Sequence, residues 1–251
     1  MRELTAIYFM WKREMIRFFR SKSRIIGSLG MPFFMLAILG TGLNSVMHVP
    51  GMEGNYLGFI TPGILSMVLL FASIFSGVIV IVDRQFGFLK ETLVAPVKRT
   101  SLVIGKALGG ATAAVLQGVI ILGIAMLLGV SISFANILLA LVVMLLISFG
   151  FVALGIAIAS VMEDMHGFQL ISNFVIMPMF FLSGALFPLD TAPDVIRYIS
   201  YVDPLTYAVE ALRYLLMGTS VTPIATSVSV LAAFSVICTV AAAYLFGRIE
   251  S

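Results

Sequence analysis

ALGGATAAVLQGVIILGIAMLLGVSISFANILLALVVMLLISFGFVALGIAIASVM, residues 107–162, runs for 56 residues without an Asp, Glu, Lys or Arg. A helix that crosses the hydrocarbon core of a membrane needs about 20 consecutive apolar residues. The stretch is therefore long enough for two spanning helices, and GVSIS at 129–133 supplies the break between them. It predicts a hairpin of two membrane spans.

The rest of the chain repeats this pattern. Four further runs lack charged residues and are each long enough for one span: 25–52, 54–82, 165–189 and 214–247. The chain is 61% hydrophobic and 11% charged, whereas a soluble domain carries about 25% charged residues. The sequence excludes a water-soluble fold and predicts an all-α integral membrane protein. We expect one domain, 1–251, with six transmembrane helices near 25–43, 58–82, 107–129, 135–160, 168–187 and 226–246.

The basic residues are unevenly divided between the two sides of this predicted topology. Thirteen of the fifteen Lys and Arg residues lie within 1–24, within 83–106 or at Arg248, and only Arg197 and Arg213 fall on the other side. Cytoplasmic segments carry such an excess, so both termini are expected in the cytoplasm of a multi-pass protein of the plasma or inner membrane. The positive balance indicates topology and contact with anionic lipid rather than nucleic acid.

Two segments outside the spans have helical patterns. Residues 1–24 place apolar and basic side chains on opposite helix faces, which is typical of an amphipathic helix at the membrane interface, with a partner-binding helix as the alternative. Between the fifth and sixth spans we expect short external helices near 193–201 and 204–217. Thr191 with Asp194 fits a capping box, Asp203-Pro204 fits a helix start, and Glu210 with Arg213 forms an i,i+3 pair.

Several kinds of chemistry are missing from the sequence. The predicted spans hold no ionisable side chain except His166 at a terminus, whereas ion-coupled carriers usually need intramembrane carboxylates or histidines. His48 and His166 fall on opposite sides, which argues against a shared metal site. Gly105-Lys106 lacks the flanking residues of a phosphate-binding loop. We therefore expect no catalytic residue, metal or other cofactor on this chain.

The segment DRQFGFLKETLVAPVKRTS, residues 83–101, carries six charges in an otherwise apolar chain. Apolar residues recur in it at helical spacing, and Pro96 disfavours a helical conformation at Ala95. A short amphipathic helix is predicted. Its residues alone allow either a basic loop held by anionic lipid or a docking element.

Three motifs resemble one family. RQFGFLKETLVAPVKR at 84–99 resembles the loop between the second and third spans of type-2 ABC exporter permeases, which include drug-efflux, lipo-oligosaccharide and polysaccharide exporters. MPMFFLSGALFPLD at 177–190 is similar to the end of their fifth span, and DPLTYAVEALR at 203–213 to the segment before their last span. Gln85 and Asp203 depart from the pattern, because an acidic residue and Asn are common at these two places.

The resemblance implies an ATP-driven machine in which this chain is the membrane subunit. By this resemblance, residues 84–97 form a cytoplasmic coupling helix that docks on a separate ABC ATPase. The ATPase is present in two copies and binds the ATP and Mg. A second permease copy completes the transporter, with the substrate path between the copies. The residues that match the coupling loop are Arg84, Phe86, Gly87, Lys90, Glu91, Pro96 and Arg99. Candidate pathway residues are Met177, Phe180, Phe181, Ser183 and Gly184.

The cargo is the least determined part of this interpretation. Twenty Phe against seven Tyr and one Trp favour a hydrophobic or amphipathic substrate, a drug or a lipid, moved out of the cytoplasm. A lipid-linked saccharide is the alternative cargo. Two other functions stay open at this point: a non-transporting membrane subunit that recruits a cytoplasmic partner, and a passive channel. Gly105-x-x-x-Gly109 and Ala114-x-x-x-Gly118 are further motifs that permit close helix packing.

Overall fold

The computed structural model describes residues 2–43, 56–88, 97–132 and 136–248, which form helices and connecting turns with no strand among them. A π-helical segment, Met35–Gly40, continues the second helix, and a 3₁₀ turn covers Leu189–Thr191. In chain order the α-helices are α1 (Arg2–Arg20), α2 (Lys22–Phe34), α3 (Tyr56–Ser76), α4 (Val78–Gln85), α5 (Arg99–Leu127), α6 (Ile137–Val161), α7 (Met165–Leu182), α8 (Asp194–Ser200), α9 (Pro204–Met217) and α10 (Ile224–Gly247).

Five helical rods in the described part of the chain are long and apolar enough to cross a membrane. They are α3 together with α4, then α5, α6, α7 and α10. Residues 3–20 and 25–40, which meet at 70°, would make a sixth if this bent pair counts as one span. The predicted all-α integral membrane fold is confirmed, and the two short helices α8 and α9 lie where the sequence placed them.

Helix α3 forms the centre of the bundle. Large side chains along its length, such as Ile64, Leu65 and Leu69, are completely buried. Helices α5 and α6 pack on it, α9 packs near its first turns, where Arg213 lies over Phe59, and α10 packs mainly on α6. This packing brings the end of α4 close to the beginning of α5, which decides where the charged residues near both helix ends meet.

Helix α5 begins earlier than the predicted span. It starts at Arg99 rather than near residue 107 and has 29 residues. At 1.5 Å per residue it is about 43 Å long, whereas the hydrocarbon core of a bilayer is about 30 Å thick. The extra turns at its start place Lys106 inside the helix instead of in the preceding loop.

Helix α1 lies alongside the first turns of α5. A Cβ atom added at Gly105 would come within 2.7 Å of Met10 Cβ, and one added at Gly109 within 2.5 Å of Glu14 Cβ. Trp11 Nε1 also donates a hydrogen bond to Thr112 Oγ1 at 3.1 Å. The Gly105-x-x-x-Gly109 motif therefore does permit close packing, and its partner is the amphipathic N-terminal helix.

Candidate functional site

A buried ionic cluster lies where α1, α4 and α5 meet. It consists of Arg13, Arg17, Asp83 and Lys106 and is called the Asp83 cluster below. Asp83 and Lys106 each have side chains only 2% exposed. Asp83 Oδ1 accepts from Arg13 Nη2 at 2.6 Å and from Arg17 Nη2 at 3.3 Å. Oδ2 accepts from Arg13 Nη1 at 3.1 Å and from Lys106 Nζ.

The helix order explains this meeting of charges. Asp83 belongs to the last turns of α4, just before the segment that connects it to α5, and Lys106 faces it from the early turns of α5. Helix α1 packs on those same turns, so Arg13 and Arg17 reach the carboxylate from a third direction. A buried carboxylate with three cationic partners holds three helices together. Separating α4 from α5 would leave Lys106 as a buried charge without its partner, whereas Arg13 and Arg17 of α1 are partly exposed.

The chain leaves this cluster through a turn. Gly87 has φ +74°, a left-handed conformation that favours glycine, and its N–H donates to Arg84 O at 3.2 Å. Phe86 points outward and is 81% exposed. The guanidinium of Arg13 lies 3.7 Å from the ring centroid of Phe88, so the residue after the turn is also attached to the Asp83 cluster.

Three further bonds tie neighbouring segments to the same end of the bundle. Arg84 Nη2 donates to Met162 O, between α6 and α7. Arg99 Nη1 donates to Gly247 O at the end of α10. Glu3 accepts from the Lys98 N–H at 3.2 Å, at the residue that precedes α5. The two described flanks of residues 89–96 are thus held by α1, by the α6–α7 connection and by the end of α10.

The structure describes four of the predicted coupling residues: Arg84, Phe86, Gly87 and Arg99. They lie at the two flanks of the segment, within the end of α4, the following turn and the start of α5. Arg84 and Gln85 are the last residues of α4, so the described beginning of the predicted helix 84–97 is the end of α4 followed by the turn at Gly87. Lys90, Glu91 and Pro96 lie outside the described residues, and their roles stay predictions.

The Asp83 cluster was not expected from the sequence. The prediction that His166 is the one ionisable side chain in any span is wrong for the helices as the structure has them, because Asp83 and Lys106 lie inside spanning rods. His166 is exposed near the start of α7. The sequence does contain one signal that could have indicated this pair: Asp83 and Lys106 flank two long apolar runs that are joined by one connection.

A second polar network lies at the opposite end of α3. The predicted pair of Glu210 and Arg213 forms within α9 and is buried. Arg213 Nη2 also donates to Gly184 O at 3.0 Å, and its guanidinium lies 4.3 Å from the centroid of Phe59. Glu210 Oε2 accepts from the Val221 N–H at 2.6 Å. The pair therefore joins α9 to α3, to the turn after α7 and to the loop that precedes the last helix.

Two predicted helix starts have different outcomes. Asp203 caps α9 as expected, since its Oδ1 accepts from the Leu205 N–H at 2.9 Å and Pro204 follows in the first turn. The capping box of Thr191 with Asp194 is wrong. Pro193 is the residue that precedes α8, and the Thr191 hydroxyl donates to Pro188 O within the 3₁₀ turn instead.

The predicted pathway residues do not share one face. Met177 and Phe181 are exposed one turn apart on α7, in an apolar stripe with Leu170 and Phe174. Phe180 is buried on the inner face of the same helix. Ser183 and Gly184 form the turn after α7: the Ser183 hydroxyl is buried and donates to Phe180 O, and Gly184 has φ +71°. Of this set, only the exposed stripe offers a surface.

Comparisons with known proteins cover most of the chain. Residues 5–217 match the family model described as ABC-2 type transporter. The putative transport permease ycf38 of Cyanophora paradoxa is 29% identical over 216 residues, which cover 84% of this chain and 74% of that protein. Nodulation protein J of Rhizobium meliloti (strain 1021) is 26% identical over 233 residues, covering 92% and 86%. Nodulation protein J of Bradyrhizobium diazoefficiens is 25% identical over 245 residues, covering 95% and 92%.

Proposed function

Since the chain belongs to the ABC-2 type transporter family, and is therefore a multi-pass transport permease, we propose that it is the membrane subunit of an ATP-driven exporter. Its cargo is a hydrophobic or amphipathic molecule, a drug or a lipid, that leaves the cytoplasm. An ABC ATPase is the general partner of this family. Two ATPase subunits, which bind the ATP and Mg, would dock on the segment between α4 and α5.

The observation that carries the proposal is the attachment of that segment at both flanks. On one side Asp83 is ion-paired to α1 and α5, and Arg84 is bonded to the connection between α6 and α7. On the other side Lys98 is bonded to Glu3 of α1, and Arg99 to the end of α10. A force applied to residues 89–96 would be passed to these helices together, because buried ion pairs resist separation.

The same arrangement weighs against a proton-coupled carrier. A proton relay needs a carboxylate that can gain and lose its proton during transport. The carboxylate of Asp83 is buried and surrounded by Lys106, Arg13 and Arg17, all of which stabilise its charged form. Asp83 is suited to hold helices together, and the energy for transport would come from the partner ATPase.

A second permease copy is part of the proposal. The stripe on α7 leaves four large apolar side chains exposed: Leu170, Phe174, Met177 and Phe181. Lipid or another apolar protein surface would cover them, and a pathway between two copies would be lined by such residues. The distribution of Lys and Arg supports a topology in which both termini and the segment 89–96 would face the cytoplasm, in the plasma or inner membrane.

The test is reconstitution in liposomes with and without the ATPase. We expect flux of a fluorescent lipid or hydrophobic dye that needs both the ATPase and ATP and continues when the proton gradient is collapsed. Flux that stops with the gradient at constant ATP would indicate a secondary carrier. Flux without the ATPase would indicate a channel, and a stable complex without flux would indicate a recruiting subunit.

A further inference from the structure

A wide, open cavity of about 350 Å³ lies partway along the bundle, with Leu154 of α6 and Phe234 of α10 among its lining residues. It opens between α6, α7, α8 and α10, beside the turn that precedes α9. Among the described residues, its walls are apolar apart from one acidic residue, Asp203, and we call it the Asp203 cavity. The apolar lining includes Leu154, Pro178, Met179, Leu182, Ile199 and Phe234.

Only one of the two carboxylate oxygens of Asp203 has a hydrogen-bond partner among the described residues. Its side chain is largely buried, with 8% of the residue exposed. Oδ1 caps α9 through the Leu205 N–H. Oδ2 is buried and has no hydrogen-bond partner among the residues that the structure describes. A buried acceptor without a partner is destabilising, so a ligand that supplies a donor to this carboxylate is bound more tightly.

The charged residues of the described helices α8 and α9 are paired with one another. Asp194 and Arg197 of α8 form an ion pair at 3.0 Å, and Glu210 and Arg213 of α9 form another. Between their ends α6 and α10 contain no Asp, Glu, Lys or Arg, and α7 contains only His166 near its start. Burial in these surroundings raises the pKa of Asp203 to about 7, which means that the carboxylate lacks a compensating positive charge.

We propose that the Asp203 cavity binds amphipathic amines. The ammonium group would pair with the carboxylate of Asp203 and neutralise it, while the apolar part of the molecule lies against Leu182 and Phe234. An anionic amphipath would be repelled by the carboxylate. A neutral alcohol would supply the hydrogen bond without the charge, so amines are the class that satisfies both requirements.

Binding to the purified full chain in phosphatidylcholine nanodiscs tests this proposal without any ATPase. The probe is dansylcadaverine, a fluorescent primary amine, and its N-acetyl derivative keeps the ring and chain but not the charge. At pH 8 the carboxylate is mostly ionised, and an aliphatic amine with a pKa of about 10.4 is mostly protonated. We expect the amine to bind at least tenfold more tightly than the acetyl derivative.

Two substitutions locate the preference. Asp203→Asn keeps an acceptor for the cap of α9 but removes the charge, and it should abolish the tenfold preference. Asp194→Asn removes an exposed carboxylate from the adjacent α8 and should preserve it. Leu182→Trp should fill the cavity and weaken both probes.

The source of the amine is settled by adding phosphatidylethanolamine to the nanodisc. Competition with the probe identifies a lipid headgroup as the occupant, and its absence identifies a free amphipathic amine; both support the site. Equal binding of the two probes by the native chain overturns the proposal. So does an amine preference that survives Asp203→Asn, or amine binding that is unchanged in Leu182→Trp.

Discussion

Replacing Asp83 by Asn should destabilise the chain more than removing any one of its cationic partners. Asp83 is the single carboxylate that contacts Lys106 in the described structure, and both side chains are 2% exposed. In Asp83→Asn the buried ammonium of Lys106 loses its counter-charge. Breaking a buried ion pair in this way costs about 3–5 kcal/mol.

Replacing Lys106 by Met should destabilise the chain less than replacing Asp83 by Asn. In Lys106→Met, Asp83 keeps two hydrogen bonds from Arg13, at 2.6 and 3.1 Å, and one from Arg17 at 3.3 Å. The loss is then that of one hydrogen bond between charged groups, about 1.5–3 kcal/mol. In the double variant no buried lysine is stranded, so Lys106→Met should partly rescue Asp83→Asn.

Thermal unfolding of the purified chain in detergent measures these differences. The emission of Trp11, the one tryptophan of the chain, reports the packing of α1 on α5, because its indole is bonded to Thr112. Asp194→Asn, which breaks an exposed ion pair, is the matched control and should cost less than about 1 kcal/mol. If the effects of Asp83→Asn and Lys106→Met simply add in the double variant, the reasoning about a shared buried cluster is refuted.

Three other predictions follow from the packing, the titration and the charge distribution. Gly105→Leu should cost about 1–3 kcal/mol and shift Trp11 emission, whereas Gly123→Leu on the same helix, which meets open space, should be neutral; equal effects would contradict the α1–α5 contact. Because the pKa of Asp203 is raised from 3.8 to about 7, the folded state holds this proton more tightly than the unfolded state, and stability should fall as pH rises between these values. Asp203→Asn should remove that part of the pH dependence, and an unchanged slope of melting temperature against pH would contradict it. Reporter fusions after Lys98 should be cytoplasmic and fusions after Val202 external, and a cytoplasmic Val202 would reverse the assigned topology.

Much of the fold could be predicted because membrane spans depend mainly on the length of apolar, charge-free runs. Long charge-free runs determine where helices cross, and the Asp203-Pro204 start of α9 and the Glu210–Arg213 pair are local signals that need no tertiary contact. The capping box at Thr191 failed because Pro193 has an extended backbone conformation before α8, and Thr191 was already part of a 3₁₀ turn.

The Asp83 cluster could not be predicted in the same way, because it depends on which helices pack together. Asp83 and Lys106 were assigned to a loop on the assumption that charges mark its ends. Helix α5 instead begins at Arg99, and the close approach of α1 at Gly105 and Gly109 brings Arg13 and Arg17 to the same carboxylate. Sequence periodicity shows the faces of one helix but not which helix covers them.

Cysteine cross-linking shows whether an ATPase docks on the segment that follows α4. Cys238 is the one cysteine of the chain. In a Cys238→Ser background, Phe86→Cys and Val202→Cys place single thiols at positions that are 81% and 84% exposed, at opposite ends of the bundle. With a cysteine–amine cross-linker and the assembled complex, the account predicts a permease–ATPase product from Phe86→Cys and none from Val202→Cys. A Phe86→Cys thiol that stays freely labelled in the assembled complex, or equal products from both positions, would contradict it.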